Sequence, residues 1–317
     1  MSRLYGGRWQ LLNAPRLGSG GQSEVFRAKD TSGQLQGEFA LKRVGSPKRH
    51  ERFRREIDAI KRLSHPNIIK LIDHSALDDA STAEEKQFLV MPIAEGGDLS
   101  TPGRLALYKG SVDAVLQVAK QVAAALALAH SNAIIHRDVK PQNILFTGMG
   151  HEVWPTDFGI CLIREQPRVT ETPEIMGPRA FLAPELEEGG QLDVTSAADV
   201  YSLGKVIYYM VSGGIILPRE RLHEEKYRKI FASGERYHLL ELLLRKMVCP
   251  VENRMQDMES VIREVGKIEG WERNARLLAI GPDGLASLRE TSAPFIRHCA
   301  RHQRQRQCPS ARSRHFG

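Results

Sequence analysis

The chain has 317 residues, 41% of them hydrophobic, which is enough for a two-lobed globular body and an appendage. Formal net charge is +7, but no acidic residue follows Glu290 while six arginines do, so the body is near neutral and the C-terminus is basic. The four cysteines, Cys161, Cys249, Cys299 and Cys308, form no C-x-x-C pair, which excludes a disulfide scaffold and predicts free thiols in a reducing, cytoplasmic setting. Met1 to Gln10 lacks the apolar centre of a signal peptide. The longest apolar run, Val115 to Ala129, is interrupted by Gln117, Lys120 and Gln121, so no membrane span is expected.

In chain order, the first feature is Leu17-Gly18-Ser19-Gly20-Gly21-Gln22-Ser23-Glu24-Val25-Phe26, between two strand-like runs. Glycines there let backbone amides approach phosphate oxygens without a Cβ in the way. Taken alone, the stretch also reads as an ordinary hairpin. Phe39-Ala40-Leu41-Lys42-Arg43-Val44 alternates like a strand. A helix follows, starting near Pro47, with Phe53, Ile57 and Ile60 forming an inward stripe. Glu56 shares that face, where a carboxylate is costly unless paired, and Lys42 is its natural partner. Gln87-Phe88-Leu89-Val90-Met91 reads as a buried strand, and Pro92 to Gly97 as a connector. Ser111 caps a core helix running to about Ser131.

The densest chemistry lies in Ile134-Ile135-His136-Arg137-Asp138-Val139-Lys140-Pro141-Gln142-Asn143-Ile144-Leu145. Apolar ends and a polar middle predict a loop pinned between a helix end and a short buried strand. An Asp there can take or aim a hydroxyl proton, a Lys can neutralise phosphate, and an Asn oxygen can ligate Mg²⁺ beside a carboxylate. A structural turn with a buried Asp is the rival reading. The row His136-Arg137-Asp138 with Asn143 resembles the catalytic loop H-R-D-x-x-x-x-N of the protein kinase family. Further on, Asp157-Phe158-Gly159 resembles DFG and Ala183-Pro184-Glu185 resembles APE, in the family's order. The resemblance covers about residues 9 to 266.

That resemblance implies an α+β, two-lobed fold: a small β-rich lobe with one key helix, and a larger, mostly helical lobe. The implied divisions are 1–97, 98–268 and a basic tail, 269–317. It implies ATP held by Leu17, Gly18, Ser19, Gly20, Val25, Ala40, Lys42, Met91, Ile93, Ala94, Asp98 and Leu145. Mg²⁺ would be held by Asn143 and Asp157. Catalysis would fall to Asp138, Lys140, Lys42 and Glu56. Ser23 replaces the third glycine of the phosphate loop, and Pro92 removes an N–H donor from the connector. Glu185 is expected to be buried against Arg254, and Asp199 to hold the catalytic loop from below. Lys140 implies Ser/Thr protein substrates, although Gly177-Pro178 departs from the usual Gly-Thr. The resemblance implies that Arg137 receives phosphate from Thr170 or Thr172, with Arg164 or Arg168 nearby; local packing of Arg137 with both threonines solvated is the rival reading.

Leu239 to Val248 and Met258 to Val265 read as amphipathic helices, and Trp271 to Leu288 as a further helix. The composition from His298 onward predicts a disordered, solvated tail with at most weak contact to acidic partners or nucleic acid. Val153-Trp154-Pro155 has no explanation at this level. Three rivals to a catalytic kinase stay open: a pseudokinase scaffold, a small-molecule phosphotransferase, and a regulator of a functional tail. Filled catalytic positions weigh against the first. The APE stretch and the Asp199 helix weigh against the second.

Overall fold

The computed structural model describes residues 4–19, 24–44, 50–75, 87–158, 178–186, 194–219 and 221–277. The chain divides into a compact unit, Met1–Ile268, and a second, Glu269–Gly317. The first unit opens with an antiparallel sheet. Its strands are β1 (Leu4–Tyr5), β2 (Trp9–Leu11), β3 (Gly18–Ser19), β4 (Glu24–Asp30), β5 (Phe39–Val44), β6 (Asp73–His74) and β7 (Gln87–Met91), in the order β1-β2-β4-β5-β7-β6, with β3 on β4. Alternation along β7 explains why so apolar a strand sits well here. Phe88 and Val90 pack with Trp9 and Leu41, while Leu89 packs with Val44, Phe53 and Ile57. The second group belongs in part to helix α1 (His50–Arg62), which covers that face of the sheet. The expected helix start near Pro47 lies outside the described residues.

After Met91 the chain leaves the sheet and enters a helical lobe built on α3 (Val112–Ser131) and α4 (Ala197–Ser212), preceded by the short α2 (Pro102–Ala106). The Ser111 hydroxyl accepts from the Ala114 N–H and so caps α3. α4 is apolar and buried on nearly every side, whereas α3 keeps Asp113, Gln117 and Lys120 exposed on one face. Length and composition would let α3 cross a membrane; here its Val115, Val122 and Leu126 are buried in the lobe's core. Gly204 lets α4 approach α6 (Glu235–Met247), since a Cβ there would lie 2.8 Å from Met247 Cβ. Gly213, at φ 73°, ends α4 in the left-handed conformation. The remaining helices are the single-turn α5 (Glu225–Arg228) and α7 (Met258–Leu277).

Two helix boundaries differ from the sequence reading. α6 begins at Glu235 rather than Leu239, because Arg236 and Tyr237 anchor its polar first turn to Asp113 and to the Gly110 carbonyl. That anchoring depends on distant residues and leaves no apolar period. α7 continues past Val265 to Leu277, with Glu264 paired to Lys246 and Lys267 where the apolar stripe thins. The part of the expected Trp271–Leu288 helix beyond Leu277, and the rest of the tail, lie outside the described residues.

Candidate active site

Between α3 and the two-stranded hairpin of β8 (Ile144–Phe146) and β9 (Val153–Pro155), residues 132–143 form a loop held from below by one carboxylate. Asp199, fully buried on α4, accepts from the backbone N–H groups of His136 and Arg137, both at 2.8 Å. The His130 ring lies 2.8 Å from the same carboxylate. Burial works against the Asp199 charge. The His130 hydrogen bond, the two histidine rings and the Arg137 N–H nevertheless hold its carboxyl below the ordinary 3.8. The loop is strained. Ala133 and Arg137 in the loop take positive φ, at 58° and 64°, as does Asp157 beside it, at 66°. Such non-glycine conformations persist only where surrounding contacts over-determine them.

Above this anchor the polar groups gather around Asp138. Lys140 Nζ lies 2.7 Å from Asp138 Oδ2. The Asn143 amide nitrogen donates to the Asp138 carbonyl at 2.8 Å and to its carboxylate at 3.0 Å. That orientation leaves the Asn143 Oδ1 on the side of the amide away from its bonds to Asp138. Thr156 donates its N–H to the Asn143 carbonyl at 2.9 Å, so Asp157 follows directly beside the loop. His136 Nε2 meets the Thr156 carbonyl at 2.8 Å, and its ring lies 4.8 Å from that of buried Phe158.

Lys42 joins the two lobes. Its register opposite Val25 on β4 and Leu89 on β7 points its ammonium inward, 2.6 Å from Glu56 and 2.6 Å from Asp157. Burial disfavours that ammonium, but the carboxylates of Asp157 and Glu56 overcome it and hold Lys42 protonated above the ordinary lysine range. Burial likewise pushes Asp157 up, and Lys42 reverses this and holds it below 3.8. Burial pushes the Glu56 carboxyl up to about 7 against the pull of Lys42.

The residues expected to hold nucleotide lie on the strands and in the connector after Met91. Leu17 donates its N–H to Val25, Gly18 pairs with Val25, and Ala40 pairs with Met91. Leu145 on β8 faces Asp98 across a bridge, and the Phe146 carbonyl accepts from the Gly96 N–H at 3.0 Å. Ile93 and Ala94 are half-buried in the connector. Asp98 has one carboxylate oxygen engaged by the Ser100 N–H at 2.8 Å and by the Ser100 hydroxyl. Gly20, Ser23, Gly159, Gly177, Arg164, Arg168, Thr170 and Thr172 lie outside the described residues.

The Arg254–Glu185 pair forms at 2.5 Å, but the buried partner is the arginine; the Glu185 side chain is 16% exposed. Arg254 also donates to the Cys249 and Ala197 carbonyls, which satisfies its guanidinium inside the lobe. Trp154 also gains a role: its indole N–H donates to the Pro66 carbonyl at 3.1 Å. Asn67 bonds Gln121 on α3 at 2.7 Å and the Val153 carbonyl at 3.2 Å. These contacts tie the exit of α1 to the helical lobe. Sequence reasoning missed Asn67, Gln121, His130 and Arg104, because each looks like a surface polar residue until its partner is known. Arg137 borders an open cleft of about 290 Å³ with Arg55 and Arg62, and its Nε is buried without a hydrogen-bond partner among the described residues.

This arrangement has counterparts. The family model described as "Protein kinase domain" matches residues 12–308, further than the motifs alone could be followed. The chain belongs to the protein kinase family. It is 35% identical over 216 residues to the DNA damage-responsive serine/threonine-protein kinase RqkA of Deinococcus radiodurans, spanning 66% of this chain and 30% of that protein. It is 34% identical over 222 residues to the serine/threonine-protein kinase PrkC of Bacillus subtilis, spanning 68% of this chain and 32% of that protein. The chain thus spans about a third of the length of these relatives. In fold it is similar to the Mycobacterium tuberculosis PknI kinase domain, with TM-score 0.61, 23% identity, and coverage of 82% of this chain and 96% of that one. Rad53 residues 1-466, in complex with AMP-PNP, gives TM-score 0.61 at 23% identity, covering 81% of this chain and 64% of that one.

Proposed function

We propose that the chain transfers the γ-phosphoryl group of ATP to serine or threonine hydroxyls of protein substrates. The observation that supports this best is the double ion pair of Lys42 with Glu56 and Asp157, next to the Asp138–Lys140–Asn143 cluster. In this reading the glycine-rich turn and Lys42 bind the phosphates, and Ala40, Met91, Ile93, Ala94 and Leu145 surround the base. Asp138 orients the attacking hydroxyl and accepts its proton. The oxygen then bonds the γ-phosphorus while the bond to the ADP oxygen breaks. Lys140, paired with Asp138, offsets charge on the moving phosphoryl group.

The donor set fits Mg²⁺. The Asn143 amide oxygen and the Asp157 carboxylate are hard oxygen ligands, and Asn143 directs its nitrogen away to Asp138. When bound, the ion would neutralise phosphate charge. Lys140 favours serine or threonine as acceptor. A reducing, cytoplasmic setting belongs to the same proposal.

The test is transfer of radiolabel from [γ-³²P]ATP to a generic protein substrate, beside Asp138→Ala. A positioned acid/base group typically supplies about 10²–10⁴-fold, so kcat should drop by that range in the variant. Equal labelling by both proteins would rule out the assigned role, and absence of labelling by the parent would rule out the activity.

A further inference from the structure

Arg104 is 6% exposed and, among the described residues, has no carboxylate beside it. Its guanidinium is satisfied by backbone carbonyls instead. It donates to Gly96 at 3.1 and 3.3 Å, to Gly148 at 2.7 Å, to Met149 at 3.1 Å and to Gly150 at 2.9 Å. The carbon of its fork lies 4.3 Å from the Phe146 ring centroid. A buried cation is costly unless its donors are all met, and only the planar five-donor fork of arginine can serve two separate chain segments at once. Those segments are the connector after β7 and the turn between β8 and β9.

Contact between the segments is very close. A Cβ on Gly96 would lie 2.2 Å from the Gly148 carbonyl, 2.5 Å from Phe146 Cβ and 2.6 Å from Arg104 Nη2. Only glycine fits, and it is held on three sides. Residues 96–99 also pair with β8, through Gly96 to Phe146, Phe146 to Gly97 and Leu99 to Ile144. Ile93 and Ala94 precede Gly96 in the connector, with Glu95 between; within the paired strand stands Leu145. These are the two walls between which the adenine ring is assigned.

We propose that Arg104 is a positioning residue for the nucleotide. It fixes the connector against β8 and so sets the gap between Ile93–Ala94 and Leu145. The inference rests on the nucleotide reading above and deepens it. Arg104 touches no substrate; it acts through the Gly96 carbonyl and the Gly148–Gly150 turn.

The experiment compares the full chain with Arg104→Met, which keeps the stem, and Arg104→Lys, which keeps the charge but loses the fork. ATP and ADP affinity are measured by calorimetry, kcat and KM by phosphorylation of a generic substrate, and folding by circular dichroism. In Arg104→Met, nucleotide affinity should weaken on the order of tenfold and KM for ATP should rise in step, while kcat at saturating ATP changes less than about twofold. Arg104→Lys should fall between it and the parent. Unchanged affinity in a folded variant would overturn the proposal. So would a fall in kcat with KM unchanged, or failure of both variants to fold, since each marks a purely structural role. A parent chain that binds no ATP would overturn the nucleotide reading as well, which separates the two failures.

Discussion

At the scale of single residues, the site is organised by how one ammonium is shared. Lys42 serves both Glu56 and Asp157, and the two carboxylates end on opposite sides of their ordinary values. Glu56, raised from 4.5 to about 7, binds its proton more tightly in the folded chain than in the unfolded one. Stability tied to that proton is therefore fully present below 4.5 and lost as pH rises through about 7. Lys42 is shifted above 10.5 and Asp157 below 3.8, so neither titrates inside that window. Urea unfolding of the parent should show a decline in stability across the window that is missing from Glu56→Gln. Parallel pH profiles for the two proteins would show that Glu56 does not titrate there. The same variant should lower kinase activity, because an amide oxygen accepts from Lys42 more weakly than a carboxylate does.

At the scale of elements, α4 acts as the foundation of the loop. Asp199 sits in its first turn and meets two loop N–H groups and one histidine. Removing an ionised acceptor leaves those buried donors unmet. Asp199→Ala should therefore cost about 2–4 kcal/mol of stability at neutral pH and lower kcat as well. The sign of its pH dependence is opposite to that of Glu56. The folded carboxyl titrates below its ordinary 3.8, so its contribution is present above 3.8 and is lost as pH falls through the lower folded value. The stability gap between parent and variant should close in strong acid. A gap that widened in acid would show that Asp199 is not held as an anion. α6 makes the complementary point about packing, since its approach to α4 depends on Gly204 and its start depends on the Asp113 and Gly110 contacts.

At the scale of the whole first unit, Ala59, Leu63 and Ile68 join the helical lobe's apolar core, and specific bonds among the described residues add to that packing. Lys42 reaches Asp157, Trp154 reaches Pro66, and Asn67 reaches Gln121. The cleft at Arg137 lies along the same junction, with Arg55 and Arg62 contributed by α1. A phosphate carries about −1.5 to −2 charges and strong acceptors, so one seated there would draw α1 and the loop together. Incubation with Mg-ATP is expected to place phosphate on Thr170 or Thr172, detectable by mass spectrometry. The double variant Thr170→Ala/Thr172→Ala should then lose several-fold in activity. Full activity in that variant, with no phosphate found between Asp157 and Glu185, would remove the switch.

The sequence by itself determined the family, the two-lobe order, and the inward face on which Glu56 meets Lys42. Each of those rests on local spacing: a loop motif, a strand period, a helix stripe. It also marked Ser111 as a cap, because a cap acts on backbone groups within a turn or so of itself. Tertiary structure alone decided the rest. Arg104 reads as a surface charge until Gly96 and Gly148–Gly150 come together around it. Val153-Trp154-Pro155 makes sense only once Trp154 finds the Pro66 carbonyl across the lobes. The reason is common to these cases: a side chain whose partner is a distant backbone carbonyl leaves no periodic trace, since the partner contributes a peptide group that every residue has.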